Sequence, residues 1–117
     1  MHTIKIQQLW FFEVPYRKIF KYEIEEGGET EITGFFDEIL DAQVQNDNIV
    51  IWASVAPVRK NAKGELVQRR NSEKTTLIIS AIGTGWGYER NIGEYFRTVQ
   101  TPDGLVWHLF VREKEDG

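Results

Sequence analysis

Lys18-Ile19-Phe20-Lys21-Tyr22-Glu23-Ile24-Glu25 sets apolar Phe20, Tyr22 and Ile24 against charged Lys21, Glu23 and Glu25 at every second position. A period of two marks a strand with one face on a core and the other in water. Gly27-Gly28 then turns the chain and Glu29 to Thr33 returns, a hairpin pattern. Further out, Glu38 to Gln45 alternates again, with Leu40, Ala42 and Val44 on one face. Asn46-Asp47-Asn48 reads as a tight turn, because Asn and Asp tolerate left-handed backbone. Ile49 to Val55 is apolar on both faces, as expected of a central strand covered on both sides. Thr75 to Ile82 is β-branched and extended. Glu94 to Gln100 and Leu105 to Arg112 form two more strands, joined by the turn Pro102-Asp103-Gly104.

These elements predict an all-β antiparallel sandwich or barrel of about eight short strands with little helix. Phe35 to Ala42 is the one helix candidate, and Thr3 to Phe12 is expected to add a strand that Pro15 ends. Residues 1–117 form a single domain, with an N-terminal extension over 1–17, a long polar hairpin over 59–74 and a frayed tail over 113–117. The expected core comprises Phe20, Tyr22, Ile24, Leu40, Val44, Ile51, Trp52, Val55, Leu77, Ile79, Val99, Trp107 and Leu109.

Composition narrows the function classes. The absence of Cys removes disulfides, thiolate nucleophiles and cysteine metal sites together. A net charge of −4 makes the chain a poor binder of nucleic acid backbone, so direct DNA binding is not expected. No apolar run approaches the ~18 residues of a membrane span, and no signal peptide is expected. His108 and His2 are the two histidines, too few for a histidine metal site; neither cofactor nor metal is expected. His108 faces away from Trp107, alongside Val106 and Phe110, and reads as an ordinary strand histidine. No spacing supplies a nucleophile with its base, so the chain is read as a non-enzyme.

From Lys18 onward the order of short motifs is itself informative. Lys21-Tyr22 is followed by Ile39-Leu40 and Gln43-Val44-Gln45, then Trp52-Ala53-Ser54-Val55 and Gly83-Thr84-Gly85. Tyr95, Thr98 and Gln100 lead to the closing Val106-Trp107-His108-Leu109-Phe110. This order resembles a family of small bacteriophage and prophage proteins without an assigned activity. The chain departs from that family at Trp86, where a His usually follows Gly-Thr-Gly. The resemblance implies a phage or prophage origin and action in the cytoplasm of a bacterial host.

Three segments are candidates for binding. Residues 23–41 hold eight of the 18 acids and no Lys or Arg. Glu23, Glu25, Glu29, Glu31, Asp37 and Glu38 are therefore expected to form an acidic face for a basic partner. Arg59, Lys60, Lys63, Arg69 and Arg70 make the hairpin basic, suited to an anionic partner or to the acidic face of a second subunit in a homodimer. The glycine-rich loop 83–88 carries Trp86 and Tyr88, with Arg90 just beyond. Tyr88 stands where a dinucleotide fingerprint needs its third Gly, so an aromatic lip for a ligand or partner is the functional alternative to a plain turn. The expected function is a non-enzymatic phage binding protein that inhibits or redirects a host protein, such as a counter-defence factor. The alternatives are a small-ligand or nucleotide sequestering protein and an accessory structural phage protein.

Overall fold

The computed structural model describes residues 3–6 and 16–115. Within them lie ten strands: β1 (Ile4–Lys5), β2 (Lys18–Ile24), β3 (Glu29–Gly34), β4 (Phe36–Gln45), β5 (Asn48–Val55), β6 (Val58–Lys60), β7 (Leu66–Gln68), β8 (Thr75–Gly83), β9 (Glu94–Gln100) and β10 (Val106–Glu113). Two four-stranded antiparallel sheets, ordered β1-β4-β5-β2 and β3-β8-β10-β9, face each other as a sandwich; β6 and β7 form a separate hairpin. One apolar cluster fills the space between them, with Ile24, Phe36, Ile39 and Ile51 from the first sheet and Leu77, Ile79, Phe96 and Leu109 from the second. Arg97 of β9 reaches across to Asp41 of β4 at 3.2 Å and ties the two sheets at one margin.

β5 is covered on both faces, as its apolar run predicts. Ile49, Ile51 and Ala53 point into the core, while Val50 and Ser54 on the opposite face are also buried. The residues of the helix candidate Phe35 to Ala42 fall mostly within strand β4. Two register shifts, between Phe36 and Glu38 and between Ile39 and Asp41, interrupt its pairing with β5. Each bulge adds a residue and breaks the period of two, so Phe36, Ile39 and Ala42 share the core face at a spacing of three. Leu40, expected inside, is consequently only half-buried, and Ile39 takes its place.

Phe20 is a second correction. It is 47% exposed although it lies on the same face as Ile24, which is 4% exposed. β2 is the outer strand of its sheet, and only its C-terminal end is covered. Trp52 is also half-buried rather than internal: it pairs with Lys21 and Asp41 on the outer face of β5, whereas Tyr22 and Ile24 lie across from Ile51 and Ile49 on the core face.

The N-terminal extension pairs with the sandwich at β1, where Ile4 lies opposite Ile39. The rest of the strand expected over Thr3 to Phe12 lies outside the described residues beyond residue 6. Residues 113–115, expected to belong to a frayed tail, are described, and the first two are tied to the sandwich. Glu113 closes β10, and Lys114 is held by its backbone N–H on Thr76 and its ammonium on Glu31.

Candidate functional site

The outer face of the second sheet is unusually apolar. Ile78, Ile82 and Phe110 lie on it, and leaving all three in water would forfeit roughly 1.5–3 kcal/mol each. The segment between β8 and β9 folds back over that face and covers part of it. The Tyr88 ring packs on Phe110 with centroids 5.0 Å apart, and Tyr95 of β9 meets Phe110 edge-on at 5.8 Å.

Trp86 anchors this segment. Its backbone N–H donates to the Gly83 carbonyl at 3.0 Å, closing a turn at the end of β8. Its ring stands edge-on to Trp107 at 5.5 Å. The slot it fills is made by two glycines: a Cβ on Gly83 would sit 2.7 Å from the indole, and one on Gly27 would sit 2.9 Å from it. Neither position tolerates a side chain while the ring is in place.

Two bays flank Tyr88. The first, of about 420 Å³, is floored by Ile82, His108 and Phe110 and walled by Trp86, Tyr88 and Tyr95. No Lys, Arg, Asp or Glu lines it. His108 is held at both ring nitrogens, with Nε2 2.8 Å from the Thr84 hydroxyl and Nδ1 3.0 Å from the Thr98 hydroxyl. Thr98 continues to the Tyr95 hydroxyl at 2.6 Å. A neutral imidazole presents one donor and one acceptor, and a threonine hydroxyl serves as either, so the ring is satisfied in both tautomers. With both nitrogens engaged, the imidazole is held in one orientation between the two threonine hydroxyls.

The second bay, of about 330 Å³, lies on the far side of Tyr88. Its rim carries the Arg112–Glu29 ion pair at 3.0 Å. Its lining includes Ser80, whose buried hydroxyl has no hydrogen-bond partner among the described residues.

The sequence singles out Trp86 and Tyr88, and both line the first bay. Arg90 does not line either bay; it lies exposed in a single 3-10 turn. Tyr95, Thr98, His108 and Phe110 were not among the expected site residues. The signal for them is the strand alternation that already sets His108 and Phe110 on one face.

The acidic residues do not gather on one surface. Glu29 and Glu31 lie on the outer face of the second sheet, paired with Arg112 and Lys114. Asp37 and Glu38 belong to β4 in the first sheet, where Asp37 accepts from Arg17 and from the Ser54 hydroxyl. Glu23, Glu25 and Glu26 border an open groove at the end of β2.

The basic hairpin folds onto itself. Arg59 and Arg69 both donate to Glu73 at 3.1 Å, and the Arg69 guanidinium lies over the Phe35 ring with its side chain fully buried. Burial works to raise the Glu73 pKa, but the hydrogen bonds from Arg69 and Arg59 outweigh it and hold the carboxyl below its ordinary value. Burial pulls Arg69 down despite Glu73. Lys60 and Lys63 remain exposed, and Arg70 borders a shallow pocket with Arg59 and Glu73. The nine residues of β8 separate this hairpin from the Trp86 loop, a span of roughly 30 Å. The two do not form one phosphate-and-base site.

Among the described residues no group of three His, Asp or Glu side chains is placed to hold a metal ion. No helix among them is long and apolar enough to cross a membrane. A family model described as a domain of unknown function, DUF7352, matches residues 15–117, and the chain belongs to that family. No curated protein and no solved structure matches the chain.

Proposed function

We propose that this member of the DUF7352 family is a binding protein, not a catalyst, and that the bay beneath Trp86, Tyr88 and Tyr95 is its site. One observation carries the reading: these three rings, each about half exposed, converge on a single concave surface. Large aromatics at this exposure give up burial that a folded chain normally gains, and they recur where a ring or an apolar partner docks. The hydroxyls of Thr84 and Tyr95 complement the rings, since each keeps hydrogen-bonding capacity beyond its contact to His108 or Thr98.

The chemistry of the lining favours a neutral ligand with a flat or ring-shaped apolar face and a few hydrogen-bonding groups. A phosphate would need a cation, and no Lys or Arg lines the bay. The sequestering protein is therefore favoured over the acidic-face inhibitor, with a nucleoside or a sugar ring a better fit than a nucleotide. The bay's volume is within the range of small-molecule sites.

Capture of a host protein is the second reading, favoured by the half-exposed Trp86 and Tyr88 as anchors of the kind that dominate protein interfaces. The phage resemblance belongs to this reading, with a counter-defence role in the bacterial cytoplasm. Native mass spectrometry separates the two after incubation with bacterial lysate. A retained mass of a few hundred daltons, lost in Trp86→Ala, supports the small ligand. A retained protein lost in the same variant supports the second reading. Adducts that survive Trp86→Ala and Tyr95→Ala together would remove this bay as the site.

A further inference from the structure

From the edge of the first sheet we infer that the protein forms a homodimer by antiparallel pairing of β2 with β2 of a second copy. Among the described residues β2 is the outer strand on that side, and Lys18, Ile19, Phe20 and Lys21 are all exposed. Such an edge presents unpaired backbone groups, and proteins usually guard it with charged side chains, Lys above all, or a proline. β2 carries such charges at Lys18, Lys21 and Glu23, but of both signs and sorted along the strand. Its N-terminal half is basic and its C-terminal half runs into Glu23, Glu25 and Glu26.

That polarity is self-complementary when two copies run antiparallel. With Tyr22 on the two-fold axis, Lys21 of each copy lies opposite Glu23 of the other. Residues directly opposite each other in a ladder share a face. Lys21 and Glu23 therefore meet on the outer face, both exposed in the single chain. On the inner face, Phe20 of each copy meets Ile24 of the other. This covers the large ring that the single chain leaves 47% exposed. Pairing one residue away in either direction brings Lys21 opposite Tyr22, or Glu23 opposite Tyr22, and sets inner against outer residues. Pairing with Lys21 on the axis sets two like charges together. The result is one continuous sheet of eight strands, β1-β4-β5-β2 joined to its two-fold mate, with both Trp86 bays left on the opposite sheets.

Sedimentation velocity on the full chain tests this, at concentrations up to about 500 µM because an edge-strand interface sits at the small end of the range. The wild type is expected to dimerise. Lys21→Glu and Glu23→Lys each place two like-charge pairs across the axis and should each weaken the dimer about tenfold or more. Mixed in equal amounts, the two variants are again complementary and should recover a heterodimer. A third variant, Tyr22→Cys, sets two thiols opposite each other at roughly 4.5–5.5 Å between Cα atoms, within disulfide range. The chain has no other Cys, so any cross-linked dimer under mild oxidation reports that position alone. A wild type that stays monomeric throughout overturns the inference and leaves the edge to a foreign strand. So does a dimer that Lys21→Glu does not weaken, or a mixture that fails to reassociate.

Discussion

Replacing Gly83 by Ala should dislodge Trp86 and loosen the whole segment over the second sheet. The added methyl would lie 2.7 Å from indole Cε2 and 2.8 Å from Nε1, against an ordinary contact of 3.4–4 Å. Gly27 confines the ring from the other side and Trp107 stands against its edge, so it can relieve the clash only by swinging out of the slot into solvent. Overpacking of this kind costs about 1–3 kcal/mol, and losing the edge-to-face pair adds about 1 kcal/mol. Ala in place of Gly within a strand returns about 0.5–1 kcal/mol. The net expectation is a loss of about 1–3 kcal/mol, or roughly 4–12 °C in Tm for a chain of this size. Urea melts and tryptophan emission follow it, with the emission shifting red as Trp86 becomes wetter. The decisive comparison is the double variant. Once Trp86→Ala has removed the ring, Gly83→Ala has nothing to strike and should be neutral or slightly stabilising. Additivity of the two changes within about 0.5 kcal/mol would refute the slot. So would a Gly83→Ala protein with wild-type emission and stability.

Glu73→Gln removes the shared carboxylate of Arg59 and Arg69 and should destabilise the protein by about 2–4 kcal/mol in a urea melt at neutral pH, because the Arg69 side chain is fully buried. The same carboxyl predicts a pH effect. Its folded pKa lies below the ordinary 4.5, so its stabilisation is complete above that value and is lost as pH falls through the lower folded pKa. Denaturant melts from pH 6 downward should show a loss that Glu73→Gln lacks. Ser80→Ala deletes a buried hydroxyl without a partner and should be neutral or stabilising by up to about 1 kcal/mol; a clear loss of Tm would mean the hydroxyl is engaged. His108→Leu keeps the volume but breaks the contacts from Thr84 and Thr98, and amide exchange should quicken over 84–92 while the β5 amides stay protected.

Local patterns made most strands legible. The alternation of 18–25 and the Pro102-Asp103-Gly104 turn use nearest-neighbour chemistry alone; Asp103 accepts from the Thr101 hydroxyl and the Leu105 N–H, and Gly104 takes φ 89°. In β4 the strand over Glu38 to Gln45 was legible but its core face was not, because a bulge changes which residues share a face without changing composition. Phe20 misled for another reason: alternation names the face, but whether a face is covered depends on which strand ends up outermost. The site divides the same way. Trp86 and Tyr88 stand out in a glycine-rich loop. His108 meets Thr98, and Phe110 meets Tyr95, only through the pairing of β9 with β10, including a register shift between Leu109 and Phe110. The charged segments failed as surfaces because sequence neighbours parted. Glu31 and Asp37 went to different sheets, and Arg59 found Glu73 across fourteen positions.

The turn at Gly64 has φ 79° and open space around it, and it lies at the end of the sandwich away from the aromatic bay. It is therefore a natural attachment point for a reporter. In a chain free of Cys, a single thiol at Lys63 would accept one dye or one surface tether with no competing site. The β6–β7 hairpin and then the roughly 30 Å length of β8 lie between that dye and Trp86, which spares the bay from contact. An immobilised chain held by this turn would present its aromatic end to solution in a single orientation.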